Sequence, residues 1–152
     1  MKLLLAVSAD GYLCRDEADD MKWTGPLDKF VFKVLTMSSA QPVFAGSVTY
    51  DMMPNLRART MFRLSQRVGG LTLKDANFYY PYGWLIGGPT VAELALKERY
   101  VERAFICRVP VTLGSGISAA PLFHHLPEVP TLTMKLDNYE VDVFTGLFSH
   151  GS

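Results

Sequence analysis

Apolar runs separated by glycine- and proline-containing turns recur along the chain and predict alternating strands and helices. Residues 2–7 form a continuous apolar run that ends in a turn at residues 8–11, a pattern typical of a strand buried on both faces. Residues 112–121, with two glycines, are predicted to form a loop. Further strands are predicted at residues 42–46, 60–64, 77–82, 83–88 and 101–109.

Proline marks the start of two predicted helices. Pro26 stands in the first turn of a helix whose apolar residues recur with helical spacing and predict one buried stripe, formed by Leu27, Phe30, Val31, Val34 and Leu35. Pro89 begins another helix, with apolar positions at Val91, Leu94 and Ala95. Residues 47–53 are predicted to form a short helix between these two.

Two alternating stretches near the C-terminus, residues 131–136 and 139–144, are joined by Asp137-Asn138 and predict a β-hairpin. The order of elements indicates an α/β fold, a mixed sheet flanked by helices with an antiparallel hairpin at its edge. Because the chain has no internal repeat or linker-like segment, we expect residues 1–152 to form one domain.

The polar segment at residues 8–25 is long for a loop in a domain of this size. It carries two glycines and acids at positions 16, 17, 19 and 20. Long loops of this kind are often lids over active sites, and a solvated surface excursion explains the same composition. Length alone leaves the two interpretations open.

Composition restricts the classes of partner. The 152 residues include 15 Lys plus Arg and 15 Asp plus Glu, so the formal net charge is zero, and 49% of the residues are apolar. A neutral chain lacks the basic excess of a general nucleic-acid binder or a membrane-surface protein. We therefore expect a small-molecule partner, with neither nucleic acid nor membrane as a ligand.

Cysteine usage and the N-terminal run bear on the compartment. The two cysteines stand apart from any CxxC or Cys/His cluster, which favours a reducing environment. The apolar run at residues 2–7 is too short for a signal-peptide core, and no segment approaches the apolar length that spans a bilayer. A cytoplasmic location is expected. The sequence does not specify the oligomeric state, and a monomer is the working expectation.

Asp28 is the first candidate for chemistry. It lies four residues before Phe32, so both side chains share one helix face beside the apolar stripe. An acid in the first helical turn is favoured by the helix dipole, and an acid at the edge of a buried face is also typical of a functional group kept partly dry. Both interpretations remain open at this point.

Two predicted strands end in glycine and lead into helices, at residues 44–49 and 85–90. Glycine lets the backbone approach a ligand closely, and a helix N-terminus offers free N–H groups to phosphate. A tight βα turn explains each junction singly, whereas the pair suits a dinucleotide lying across the carboxyl ends of the strands. Neither junction has a GxGxxG or GxxxxGK[ST] pattern.

Other chemistries have weaker signals. The histidines, His124, His125 and His150, show no metal-ligand spacing, so no metal site is predicted. Ser47 and Ser65 have no nearby base or elbow motif, and Cys107 lies within an apolar run typical of core packing.

The most specific motif spans residues 21–36, where a Trp, a Pro, an acid, an aromatic residue and a Thr stand at fixed offsets: Trp23, Pro26, Asp28, Phe32 and Thr36. Residues 43–50 contain a strand followed by Gly and a Thr-aromatic pair, residues 60–65 end in Leu-Ser, and Gly87-Gly88 form a glycine pair. In this order the features resemble the dihydrofolate reductase family along nearly the whole chain. The resemblance implies that family's fold and a cis peptide between the paired glycines.

The resemblance also implies an activity, the transfer of hydride from NADPH to 7,8-dihydrofolate in tetrahydrofolate biosynthesis. Asp28 would bind the 2-amino and ring N–H groups of the pterin and support protonation at N5, and Arg59 would hold the glutamate carboxylate. Met21 and Trp23 would belong to a mobile lid. The substrate pocket would further contain Ala6, Val7, Leu27, Phe32, Met53 and Cys107. The cofactor would be held by Gly46, Ser47, Val48, Thr49, Leu64, Ser65, Gln66, Ile86, Gly87, Gly88, Pro89, Thr90 and Val91.

Several positions depart from the family pattern. Ser47 and Thr90 stand where the family often carries Arg toward the 2′-phosphate of the cofactor. Arg63 or Arg67 could take that role, so the preference between NADPH and NADH stays open. Residues 8–11, 88–94 and 110–116 are more similar to the riboflavin-biosynthesis reductase branch of the same fold. Two alternatives therefore remain, a reductase of a phosphorylated ribosylamino-pyrimidine and a non-catalytic module on this fold.

Overall fold

The computed structural model describes residues 1–53 and 56–148; His150 lies outside the described residues. Its strands are β1 (Lys2–Val7), β2 (Tyr12–Cys14), β3 (Val43–Gly46), β4 (Met61–Leu64), β5 (Trp84–Leu85), β6 (Arg103–Arg108), β7 (Ile117–Ser118), β8 (Leu132–Leu136) and β9 (Tyr139–Phe144). Its helices are α1 (Gly25–Met37), α2 (Ser47–Met52), α3 (Leu73–Tyr79), α4 (Pro89–Lys97) and α5 (Ala120–Phe123), with a 3-10 turn at Lys22–Thr24.

Seven strands form one mixed sheet in the order β4-β3-β5-β1-β6-β9-β8. The first five in this order are parallel, whereas β9 is antiparallel to β6 and β8 is antiparallel to β9. Since β1 lies between β5 and β6 with both faces covered, it needs apolar residues in succession rather than in alternation. The predicted α/β fold with an antiparallel hairpin at one edge is confirmed.

The sheet separates two apolar clusters. Leu3, Leu5 and Val7 of β1 belong to the cluster that contains buried residues of α4 and α5. Leu4, on the opposite face, belongs to the cluster that packs against Val31, Phe32 and Leu35 of α1. Successive residues of β1 thus support helices on opposite sides of the sheet, which gives a three-layer arrangement.

The strand predicted at residues 77–82 is wrong, because residues 73–79 form helix α3. Aromatic residues dominate this segment and favoured a strand. The helix begins at an N-cap, in which the Thr72 side chain accepts a hydrogen bond from the Asp75 N–H at 3.1 Å. This cap favours a helix over the predicted strand. Phe78 and Tyr79 are exposed on this helix, so their apolar character is not used for core packing.

Helix α1 begins as predicted with proline in its first turn, but only Val31 and Leu35 of the predicted buried stripe pack against the core. Leu27, Phe30 and Val34 are exposed, with Phe30 at 62%. The face turned toward the sheet carries the part-buried Asp28 and the fully buried Thr36. Because both polar groups find partners inside the fold, this face can be buried without unsatisfied polar atoms.

Two segments predicted as loops contain short elements. The 8–25 segment includes β2 and the 3-10 turn, and the 112–121 segment includes β7 and α5. Strands β2 and β7 pair antiparallel in a second, two-stranded sheet. Asp10 links the two segments further by accepting hydrogen bonds from the Leu113 and Gly114 N–H groups, so the base of the long polar segment is fixed.

The predicted hairpin is confirmed as β8 and β9, and the strand predicted at residues 83–88 is confined to Trp84–Leu85. Within the described residues, every helix is too short or too polar to cross a membrane.

Candidate active site

A cleft of about 360 Å³ opens at the carboxyl end of the parallel strands, between α1 and the segments that follow β3 and β5. Its floor includes Ala6 of β1 and Cys107 of β6, which are register partners in the sheet. Phe32 of α1 and Met53, just after α2, contribute apolar side walls. Such a cleft suits a flat apolar ligand with a few polar groups.

Asp28 places a carboxylate in this apolar surrounding. Its Oδ1 accepts a hydrogen bond of 2.7 Å from the Tyr139 hydroxyl, which belongs to the first residue of β9. Burial raises the pKa of Asp28 above its ordinary value, and side-chain hydrogen bonds from Tyr139 and Thr24 and the charge of Lys29 partly oppose that rise. The site therefore offers a carboxyl group that binds a proton more readily than an exposed aspartate.

The two groups beside Asp28 on the sheet keep their own protons. Burial raises the pKa of the Cys107 thiol to about 12, and the nearby Asp28 charge acts in the same direction. Burial likewise raises the pKa of Tyr139. At neutral pH both groups are therefore neutral, and Cys107 is not a thiolate nucleophile.

Residues 15–24, named here the lid segment, cover one side of the cleft and are held by Asp19. Its carboxylate accepts hydrogen bonds from the backbone N–H groups of Arg15 and Met21 and from the Trp23 indole N–H. Lys29 of α1 donates to the Met21 carbonyl, so the helix and the segment are joined at the cleft.

Arg59 lies across the cleft from the lid segment. Its guanidinium donates a 3.1 Å hydrogen bond to Thr36 Oγ1 and stands 5.9 Å from the centre of the Phe32 ring. Lys29 and Lys33, one turn apart on α1, line the same cleft. Lys33 and Arg59 therefore form a cationic end of the cleft, which suits an anionic ligand tail, whereas Lys29 is joined to the lid segment.

The two glycine junctions meet at the cleft. The Gly46 N–H donates to the Gly87 carbonyl at 2.7 Å, and a Cβ on Gly46 would lie 3.0 Å from Val91 Cγ2. A Cβ on Gly88 would lie 3.0 Å from Thr49 Oγ1. The peptide between Gly87 and Gly88 is cis, as the resemblance implies. Glycine at Gly46 and Gly88 therefore lets the two junctions pack closely against each other and against Thr49 and Val91.

A second groove of about 450 Å³ continues from the same junctions along the end of β4. Arg67 lines this groove, whereas Arg63 pairs with Asp51 at 3.0 Å. The cleft and the groove together therefore provide adjoining spaces on the two sides of the glycine junctions. This arrangement fits an extended dinucleotide, with Arg67 as the arginine nearest its far end.

The structure brings most of the predicted site residues together. The cleft is lined by Ala6, Met21, Asp28, Phe32, Thr49, Met53, Arg59, Ile86, Gly87, Gly88, Pro89 and Cys107. The groove is lined by Gly46, Ser47, Leu64, Ser65, Gln66 and Val91.

Five predicted residues lie outside the described lining of both spaces, for different reasons. Val7 points into the core cluster on the other face of the sheet. Trp23 is a buried residue of the lid segment, and its indole N–H donates to Asp19. The remaining three are exposed, Leu27, Val48 and Thr90.

Sequence reasoning missed Tyr139, Thr24, Lys29 and Lys33. The two lysines could have been identified from the sequence, because Lys29 directly follows Asp28 and Lys33 lies one helical turn further along α1. No sequence pattern linked Tyr139 to Asp28, since 111 residues separate the two. In the described part of the chain, no cluster of three or more potential metal-ligating side chains occurs.

No family model and no curated protein sequence matches the chain. Among solved structures, it is similar to a protein from Shewanella sp. PV-4 described as a riboflavin biosynthesis protein, with 18% identity, a TM-score of 0.64 and coverage of 95% of this chain and 97% of that one. It is also similar to Schistosoma mansoni dihydrofolate reductase, with 18% identity, a TM-score of 0.61 and coverage of 93% and 94%. The chain therefore has the dihydrofolate-reductase-like fold, as the sequence resemblance predicted.

Proposed function

We propose that this protein is an NADPH-dependent reductase that converts 7,8-dihydrofolate into tetrahydrofolate. The observation that carries the proposal is the Asp28 carboxyl group, shielded in an apolar cleft that the two glycine junctions border. An acid with a raised pKa in such a cleft is typical of a residue that binds and protonates a heterocycle. If Asp28 served only to interact favourably with the helix dipole, its carboxyl group would not need to be shielded from solvent.

The residues present fit a dinucleotide cofactor. Backbone at Gly46, Gly87 and Gly88 would pass close to its nicotinamide end, where a Cβ would meet neighbouring atoms. Ser65 and Arg67 line the groove that would take its adenosine end. When bound, NADPH supplies the hydride, and the remaining work of the protein is to position two rings and exclude water.

Asp28 has two tasks in this reaction. Its carboxylate accepts hydrogen bonds from the 2-amino and ring N–H groups of the pterin, which orients the ring over the floor of the cleft. Its raised pKa keeps a proton available close to the ring, so that N5 gains a proton as hydride adds to the adjoining carbon. Phe32 and Ala6 keep bulk water from the ring.

The cationic end of the cleft suits the glutamate tail of the substrate. We expect Arg59→Gln to raise KM for dihydrofolate by about tenfold or more, because a charge-assisted hydrogen bond contributes about 1.5–3 kcal/mol. kcat should change little, since Arg59 acts away from the reacting ring. Steady-state kinetics with dihydrofolate measure both constants. Arg99→Gln, on the turn after α4, is the matched control, and an unchanged KM in Arg59→Gln would exclude this role.

A second candidate is reduction of a phosphorylated ribosylamino-pyrimidine, as in the riboflavin-biosynthesis branch. Two observations favour it: similarity to the Shewanella protein, and the cationic pair Lys33 and Arg59, which suits a phosphate as well as a carboxylate. Asp28 would then face the amino groups of the pyrimidine in the same manner.

The deciding experiment mixes the purified protein with NADPH and dihydrofolate and follows the loss of reduced-nicotinamide absorbance. We expect steady turnover with dihydrofolate. NADPH binding without that turnover would contradict the folate proposal and favour the pyrimidine substrate. Lack of NADPH binding would contradict both and favour a non-catalytic role. Repeating the assay with NADH shows whether the protein distinguishes a cofactor that lacks the 2′-phosphate.

A further inference from the structure

Tyr139 is a polar side chain that the proposed reaction does not yet use. It is 2% exposed and lies in the apolar cluster between α1 and the sheet. Its hydroxyl donates the 2.7 Å hydrogen bond to Asp28 Oδ1. A buried hydroxyl needs a partner, but a backbone carbonyl would satisfy that need without engaging the most important carboxyl group of the cleft.

The sheet register explains how this contact forms. Cys107 of β6 pairs with Val141 of β9, and Tyr139 is two residues before Val141, so all three side chains stand on the same face. The Tyr139 ring therefore lies beside Cys107 and beneath the first turn of α1, where Asp28 is located. The position of the hydroxyl is set by a strand rather than by a flexible loop.

The direction of proton sharing follows from the surroundings. The groups that face Asp28 are Tyr139 from β9, Cys107 from β6, Thr24 from the 3-10 turn and Lys29 from α1. Because burial keeps the Tyr139 hydroxyl protonated, it acts as the donor. A donor to a carboxylate stabilises the charged form and also restricts rotation of the carboxyl group.

We propose that Tyr139 is a positioning residue whose 2.7 Å hydrogen bond fixes the orientation of the Asp28 carboxyl group. The expected effect of this positioning on turnover rests on the proposed function. Without this hydrogen bond, the Asp28 carboxyl group would be less restricted in its rotation and would hold its proton at a higher pH. With it, Oδ1 is held 2.7 Å from a hydroxyl on β9.

The variant Tyr139→Phe tests this proposal, because it keeps the ring in the core and removes only the hydroxyl. The pKa of Asp28, followed by carbon NMR of labelled aspartate in the ligand-free protein, should rise by about one unit. The apparent pKa in the pH profile of kcat/KM for dihydrofolate should rise with it. Tyr80→Phe removes a hydroxyl from a ring that stacks on Phe62 and contacts Phe44 away from the cleft, and it should leave both values unchanged.

An equal Asp28 pKa in the wild-type and Tyr139→Phe proteins would overturn the proposal, whatever the substrate. The NMR titration needs no turnover, so failure of the folate activity is seen separately in the kinetic assay. If Tyr139→Phe does not fold, a ring-fluorinated tyrosine at position 139 replaces it. Its hydroxyl is a stronger donor, so the pKa of Asp28 should fall, and an unchanged pKa would again overturn the proposal.

Discussion

Asp28→Asn is expected to lower kcat/KM for dihydrofolate by about 10²–10⁴-fold at neutral pH, the range that positioned acid–base groups contribute. The amide keeps the size of the side chain and an oxygen that accepts the Tyr139 hydrogen bond, so the fold should be retained. It provides no acidic proton for N5 and no charge for the pterin N–H groups. Steady-state kinetics with NADPH and dihydrofolate measure the loss.

The same variant should be at least as stable as the wild type at neutral pH. Burial raises the pKa of Asp28, so the folded state binds the proton more tightly than the unfolded chain. Stability from this group is therefore fully present below the ordinary aspartate pKa and is lost as pH rises through the folded-state value. Asparagine has no such loss, so thermal unfolding measured from below the ordinary aspartate pKa of 3.8 up to neutral pH should show a smaller pH dependence for Asp28→Asn than for the wild type.

Glu93→Gln is the matched control for Asp28→Asn, because it converts an exposed acid of α4 into its amide away from the cleft. It should leave turnover and its pH dependence close to those of the wild type. Wild-type turnover in Asp28→Asn would remove the residue from the mechanism. A pH dependence of unfolding equal to that of the wild type would show that Asp28 is solvated in the folded protein.

Gly87→Ala is expected to weaken NADPH binding by about tenfold or more, which corresponds to about 1.4 kcal/mol within the 1–3 kcal/mol typical of backbone strain. Gly87 has a φ of 139°, a conformation that alanine avoids, and the new Cβ would lie 3.6 Å from the Thr49 side chain. The backbone relaxes away from this conformation and moves the junction that borders the cleft. Titration of the protein with NADPH, followed by nicotinamide fluorescence, gives the Kd.

Gly114→Ala controls for strain alone. Gly114 also has a positive φ, 82°, and a Cβ there would meet nothing within 4 Å. Both variants should lose some thermal stability, but only Gly87→Ala should lose cofactor affinity. Equal NADPH affinity in Gly87→Ala and the wild type would place the cofactor away from this junction.

Features that depend on neighbouring residues in the chain were predictable. The apolar run of β1, the turn between β8 and β9, and the glycine junctions at Gly46 and Gly87 follow from local pattern and turn chemistry. The strand expected at residues 77–82 failed because aromatic composition favoured a strand while the Thr72 cap determined a helix.

The face that α1 buries was not predictable from its apolar spacing. Leu27, Phe30 and Val34 satisfy the helical pattern as well as Val31 and Leu35 do, yet they are exposed. The buried face of α1 is the one whose polar groups find partners from elsewhere in the chain. Tyr139 satisfies Asp28 and Arg59 contacts Thr36, so the face that carries these polar groups together with Val31 and Leu35 can be buried.

The amino-acid sequence by itself determined most of the order of strands and helices, the two glycine junctions and the candidate acid, because each is encoded by residues within one turn or strand of one another. Only the tertiary structure decided what surrounds that acid: the Tyr139 hydroxyl, the Cys107 thiol and the cations at the far end of the cleft. These groups come from distant segments. Their proximity depends on strand order and register, which hydrophobic pattern alone does not specify.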